Sequence, residues 1–472
     1  MSTRKIVTNT IYYGVVPKLT MLLSIIILPL TTPFLTTYDY GINGVMASYT
    51  SLFISIAPLG LHVHLTNSYF EYPRHYNLVW SRVLGLMLVS SLCFGILNFG
   101  ILLFTLPMDF SLGKCVLCLA GTVPILLMAN GILAQHLFPL RETPRPLVFT
   151  NLFGSVTGMF VSFVMIYWFH QGYRGLVANN AVATTLTFAV FVAFVWRDFN
   201  IRPVLDHNWR RVKRMFRIAL PLVPHTMGFV LLTSSARIVM SQYQVSYDEI
   251  GLFSHGSSMG DYAVVITSAL VTALVPQMQR AYRSADYRSY RRLYALCQTV
   301  ALTTTFCICI WMPEIYGLLI RNENLARSCD IASLLCFANV VFSFYVFMST
   351  PVFIEKNTMQ LLWLVFVPGI LNFVLCSLLI PFFGYRVAIF STIVSYWSQL
   401  MIPFCVGFYR RNVRQWLGDR RRILLILAVI LADLLLANAL MYTSIWLKVV
   451  LTLLTLSALL YFYRRCGLSE LV

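Results

Sequence analysis

Several ionisable side chains stand where charge is costly, among them Lys18, His225, Arg237, Asp261, Glu314 and Asp433, which all fall within apolar runs. A charged side chain in hydrocarbon costs roughly 2.5–3.5 kcal/mol on insertion scales, so it usually faces a bundle interior or a wet cavity. Lys18 and Arg237 suit an anion, and His225 adds a titratable charge. The three carboxylates suit a proton or a small cation such as sodium. Asp261 is the first choice among them, because Glu314 follows Pro313 toward a span end where water reaches, and Asp433 lies near the C-terminus. Enzyme chemistry has less support: no paired carboxylates, DxD pattern or nucleophile constellation appears. The eleven cysteines include one CxxC (Cys115, Cys118) and one CxC (Cys307, Cys309), with no second pair and no histidine at metal spacing. They read as small apolar packing residues, and no cofactor or metal is expected.

The elements that hold these groups are membrane helices. The 472 residues are 58% hydrophobic and only 11% charged, against about a quarter charged in soluble proteins. Mean hydropathy is +0.75. Apolar runs of about twenty residues, enough to cross the hydrocarbon core, follow one another near 10–35, 41–65, 79–106, 115–138, 147–169, 175–196, 218–242, 251–277, 293–319, 331–354, 361–382, 387–408, 423–443 and 446–463. The expectation is an all-α polytopic membrane protein of about fourteen transmembrane helices. The first run is long, is interrupted by Pro17, Pro29 and Pro33, and is expected to be retained rather than cleaved.

Net charge is +18. In a soluble chain that would suggest nucleic acid, but here the cations sit between apolar runs, so topology explains them and no nucleic-acid partner is expected. Alternate loops, from Arg4 and Lys5 to Arg464 and Arg465, collect 27 of the 35 Lys and Arg. By the positive-inside rule both termini are cytoplasmic. The longest hydrophilic piece, 197–217, repeats Trp209, Val212 and Phe216 at helical spacing among Arg210, Arg211, Lys213, Arg214 and Arg217. It reads as a basic amphipathic linker on the inner leaflet, in contact with membrane lipid.

The halves on either side of that linker echo each other. "VPK" at 16–18 returns as "VPH" at 223–225, "YDYG" at 38–41 as "YDEIG" at 247–251, and "GYRG" at 172–175 as "GYRV" at 384–387. Six helices separate the members of each pair, so the repeat is parallel. The expected organisation is a six-helix lobe at 1–196, the linker at 197–217, a second six-helix lobe at 218–408, and two appended C-terminal helices at 409–472. Parallel repeats place a substrate site at their interface.

With these motifs in order, the chain resembles the bacterial polysaccharide or O-antigen flippases, in the superfamily that also holds multidrug exporters and the lipid II flippase. The resemblance rests on "LPLVPHT", "SSARIVMSQY" and "GLFSHG" within 220–256, on "PEIYGLLI" at 313–320, and on "IEKNTMQ" and "GILNFVLCSLLIPFFGYRVAIFSTIVSY" within 354–396. It implies two lobes around a cavity, in the bacterial inner membrane. The transported molecule would be a polyprenyl-diphosphate-linked oligosaccharide, moved from inner to outer leaflet with sodium or protons as coupling ions. A polysaccharide polymerase and glycosyltransferases are the implied partners. Two positions depart from the family pattern: Ala236 stands where an acidic residue often precedes the arginine, and Val387 where glycine is usual. On this resemblance Lys18 meets the diphosphate first and Arg237 nearer release, with His225 at the repeat position of Lys18. Alternatives stay open: Lys18 can snorkel to the interface, Arg237 can pair with Asp261, and His225 can be an interhelical contact. Rival functions are a multidrug exporter, which favours acidic cavity residues, and a membrane-bound polymerase or ligase, which usually needs a large outer loop.

Overall fold

The computed structural model describes residues 16–206, 208–355, 357–418 and 420–465, without the side chains of 16–19, 358, 420 and 462–465. The described residues are nearly all helical, with no strand among them. Among the described residues eleven helices are long and apolar enough to cross a membrane, and two shorter apolar helices, Thr20–Phe34 and Ile445–Tyr461, stand near the ends of the chain. The protein is an all-α polytopic membrane protein. It divides into two compact units, Met1–Gly251 and Leu252–Val472.

The first unit holds α1 (Val16–Thr31), α2 (Thr37–Ile56), α3 (Val63–Glu71), α4 (Tyr76–Thr105), α5 (Leu112–Leu140), α6 (Pro144–Tyr167), α7 (Tyr173–Val192), α8 (Trp209–Ala219) and α9 (Val223–Gln242). The second expected span, 41–65, is interrupted. Leu59 and Gly60 take left-handed φ of 50° and 70°, which a helix cannot accommodate, so α2 stops and α3 restarts beyond the turn. A Cβ at Gly60 would overlap the Ala219 carbonyl. The carbonyl of Ala57, at the break, accepts the Ser90 hydroxyl at 2.5 Å. Elsewhere small residues bring helices together: Gly154 and Gly158 on α6 sit against the Ala183 and Asn179 carbonyls of α7, a GxxxG contact.

The second unit begins within the long helix α10 (Tyr247–Arg283). It continues through α11 (Tyr287–Ile310), α12 (Met312–Leu319), α13 (Glu323–Ala326), α14 (Cys329–Ala338), α15 (Phe342–Ile354), α16 (Leu361–Phe383), α17 (Val387–Trp397), α18 (Ile402–Cys405), α19 (Gly407–Trp416), α20 (Arg420–Leu440) and α21 (Ile445–Arg465). The two C-terminal helices are tied into this unit by polar contacts. Trp311 Nε1 donates to Thr452 Oγ1 at 2.9 Å and Ser333 Oγ to Asn438 Oδ1 at 3.3 Å. Lys448 is fully buried, and its Nζ reaches Glu314 Oε1 at 2.5 Å and the Met441 carbonyl at 2.6 Å. Glu314, read from sequence as solvated at a span end, stays 32% exposed and is also the partner of the buried Lys448. A counter-ion 134 residues away, on another helix, leaves no local sequence signal.

Candidate functional site

Of the residues singled out above, His225 and Arg237 lie on one helix, α9, in the first unit. Twelve residues apart, they are about 18 Å apart along the axis. Pro224 opens α9 in its first turn, where a missing N–H costs nothing. His225 is half-buried, with its ring edge-on to Phe229 at 5.6 Å. Arg237 is also half-buried, and Nη1 donates to the Thr233 carbonyl one turn back at 3.3 Å. The helix packs along α2, with Thr226 Oγ1 donating to the Ser55 carbonyl at 3.1 Å and Gln242 Nε2 to Tyr49 Oη at 2.6 Å. Lys18 falls in the first turn of α1, which packs on α6; its side chain lies outside the described residues, as do Arg4, Lys5 and Lys356.

In the second unit Asp261 is exposed on α10 and accepts from Asn339 Nδ2 at 3.1 Å. Asp433, on α20, lines a groove of about 400 Å3 with Thr299, Thr303 and Thr455.

The repeat motifs meet one another in the first unit. Asp39 of "YDYG" is buried, forms a capping box with Thr36, and accepts the Tyr173 amide of "GYRG" at 2.7 Å. Gly172 of the same motif has φ +47°, and a Cβ there would overlap the Asp39 carboxylate. The "YDYG" and "YDEIG" turns face each other almost symmetrically. A Cβ at Gly41 would overlap the Tyr247 carbonyl, and one at Gly251 the Thr37 carbonyl. Thr37 Oγ1 donates to Asp248, and the Tyr38 ring packs against Tyr173 and Tyr247. Sequence reasoning used these turns only as markers of a repeat. The paired glycines were the available signal that the two turns touch.

At the basic end of the unit, α8 carries a further arrangement. Its buried rungs are Val212, Met215 and Ala219, whereas Trp209 is 71% exposed and Phe216 half-buried. The sequence picked Trp209, Val212 and Phe216 as the apolar face. The helix is rotated from that expectation: Met215 and Ala219 join a cluster with Leu61, Leu65, Trp80, Leu133 and Leu137, and Phe216 packs at its edge. His64 Nε2 meets the Met215 carbonyl at 2.9 Å. On the outer side Arg210, Lys213, Arg214 and Arg217 line a groove of about 970 Å3 together with Phe216, Leu220 and Pro221. Asp206 takes Arg211 Nη1 at 3.1 Å and Arg82 Nε at 3.6 Å. Partial burial raises the Asp206 pKa, but the Asn208 amide and these two guanidinium groups outweigh it and hold the carboxyl below its usual range.

The fold is shared with solved transporters. Lipid II flippase MurJ, in an inward closed conformation, aligns over 96% of this chain and 99% of its own, with TM-score 0.68 and 12% identity. An inward-facing multidrug resistance MATE family transporter of the MOP superfamily aligns over 89% and 99%, with TM-score 0.57 and 13% identity. At such identities the likeness is one of fold. No curated protein matches the chain. The family model for polysaccharide biosynthesis proteins matches residues 6–282, more than half the sequence, and the chain belongs to that family.

Proposed function

We propose that this protein is a flippase that moves a polyprenyl-diphosphate-linked oligosaccharide from the inner to the outer leaflet of a bacterial inner membrane, with both termini cytoplasmic. The observation that carries the reading is membership of a polysaccharide-biosynthesis family in a chain whose fold is that of a lipid flippase nearly end to end. The charges within its spans support it: Arg237 and His225 share one helix, and a guanidinium can replace water that a diphosphate gives up. In this reading Lys18, His225 and Arg237 meet the diphosphate and Asp261 couples transport to sodium or protons. The chain is organised as repeat lobes at 1–196 and 218–408, and a polymerase and glycosyltransferases work beside it. Catalysis is not part of the role. A multidrug exporter is the second reading, supported by the MATE-like fold.

The experiment is translocation in proteoliposomes of a polyprenyl-diphosphate oligosaccharide, scored by access of an external glycosidase. Wild-type transport that falls at least tenfold in Lys18→Ala and Arg237→Gln supports both the function and the anion site. Transport that survives both substitutions leaves the flippase reading and removes the site. A wild type that passes no lipid-linked glycan but exports an organic cation is a multidrug transporter.

A further inference from the structure

Helix α8 presents a stripe of charge that its own fold does not neutralise. Arg210, Lys213, Arg214 and Arg217 stand at i, i+3, i+4 and i+7, a single helical face about 10 Å long. Like charges at these spacings repel and weaken a helix. Asp206 answers Arg211 and Arg82, not these four, and among the described residues no carboxylate forms an ion pair with any of them. The stripe cannot turn away, because Val212, Met215 and Ala219 on the opposite side are buried. The groove the four cations line has an apolar wall of Phe216, Leu220 and Pro221, and its volume of about 970 Å3 suits a sizeable ligand. Cations beside an apolar wall at the foot of a membrane helix describe a binder of a phosphate that carries a lipid chain.

We propose that this groove docks the diphosphate of the lipid-linked glycan at the inner leaflet before it enters the path between the spans; the inference rests on the flippase reading. Charge selects this occupant. An ordinary anionic phospholipid such as phosphatidylglycerol carries one phosphate and one net charge, whereas a diphosphate offers two adjacent phosphates to four cations. Three of those cations are arginines, whose forked N–H groups bind phosphate oxygens in pairs. Phe216 and Leu220 then lie beside the first isoprene units.

The test uses the full-length chain in phosphatidylcholine nanodiscs, titrated with a fluorescent polyprenyl diphosphate. Combined Arg210→Gln, Lys213→Gln, Arg214→Gln and Arg217→Gln is expected to raise Kd at least tenfold. The pair Arg214→Gln and Arg217→Gln alone, a milder change should the fourfold variant fold poorly, is expected to raise it about threefold. Arg211→Gln, the same charge change outside the stripe, is expected to shift Kd less than twofold. Polyprenyl monophosphate should bind the wild type several-fold more weakly than diphosphate, and phosphatidylglycerol at one-fifth of the lipid should not displace the probe. An unchanged Kd in the paired and fourfold variants overturns the proposal, and so does displacement by phosphatidylglycerol, which makes the groove a general anionic-lipid site. If the wild type binds through the groove yet translocates no glycan, the flippase reading fails and the site stands. If the fourfold variant binds and translocates like wild type, the flippase reading stands and the docking site is lost.

Discussion

Two helices, α8 and α19, share one sequence pattern and meet different fates. Each follows a set of membrane spans, each is short, and each mixes arginines with apolar rungs: WRRVKRMFRIA in α8, GFYRRNVRQW in α19. In α19 the rungs are Tyr409, Val413 and Trp416, all fully or almost fully buried. Trp416 packs edge-on to Tyr282 at 6.1 Å and Phe408 at 5.8 Å, and Tyr409 Oη donates to the Gln360 carbonyl at 2.8 Å. Even its backbone is used, since Arg291 Nη1 donates to the Arg414 carbonyl. In α8 the inner rungs are aliphatic, and the one tryptophan points out at 71% exposure. A basic amphipathic sequence thus gives a locked element where aromatics fill its inner face. Where the inner face is slim, the same pattern leaves an open cationic groove. What the outer cations do depends on what the inner face packs against.

If that contrast is right, the two tryptophans are not equivalent. Trp416→Ala removes a large buried ring from an aromatic cluster, which typically costs about 3–5 kcal/mol. Trp209→Ala removes an exposed ring, and surface substitutions of this kind usually stay within about 0.5 kcal/mol. Thermal unfolding of the two variants in one detergent measures the difference. Equal losses would mean that Trp209 is buried against something, and the open groove of α8 would close.

A smaller effect, in transport rather than stability, sharpens the same contrast. Neutralising Arg214 and Arg217 on α8 is expected to slow glycan translocation about threefold to tenfold, or about 0.7–1.4 kcal/mol. Neutralising Arg410 and Arg411 on α19 should change it less than twofold, because that helix acts as an anchor. Initial rates in proteoliposomes, normalised to inserted protein, decide it. Equal slowing by both pairs would point to general attraction between basic loops and anionic lipid.

Much of the fold was legible in the sequence, for a physical reason. Runs of twenty apolar residues have few other uses, so an all-helical membrane fold and the order of its spans follow from length and hydropathy. The break in the second span was partly visible in Pro58 and Gly60, but an apolar run with one proline reads as a kink until the left-handed pair at 59 and 60 is seen. Long-range ion pairs were invisible. So were the backbone partners of buried lysines: Lys114 and Lys448 are both buried. Lys114 Nζ donates to the Leu106 and Met108 carbonyls beyond the end of α4, and Lys448 donates to the carbonyl of Met441, just past α20, as well as to Glu314. The site was legible as residue types but not as geometry. Sequence put His225 and Arg237 on one helix, but that this helix packs along α2 depends on contacts about 170 to 190 residues apart.

The smallest expected effect concerns what holds the approach to α8. Asp206 lies three residues before Trp209 and ties Arg82 on α4 to Arg211 on α8. Its carboxyl is held below the usual pKa, so its contribution is present above the unfolded value of about 3.9 and is lost as pH falls through the lower folded value. The tie is part-exposed, and pairs of this kind contribute about 0.2–1 kcal/mol. Asp206→Asn is therefore expected to leave the unfolding temperature nearly unchanged while speeding amide exchange at 204–212 severalfold at pH 7. The Val204 amide, which donates to the Ser81 carbonyl at 3.0 Å, is the natural reporter. Lowering the pH of the wild type until this carboxyl is protonated should reproduce the effect, after exchange rates are corrected for their intrinsic pH dependence, and should add nothing in Asp206→Asn. Exchange at Tyr409–Trp416 should stay slow in both proteins, because aromatic packing rather than an ion pair holds α19. If that segment loosened as well, the distinction between an anchored helix and an open one would be a matter of degree.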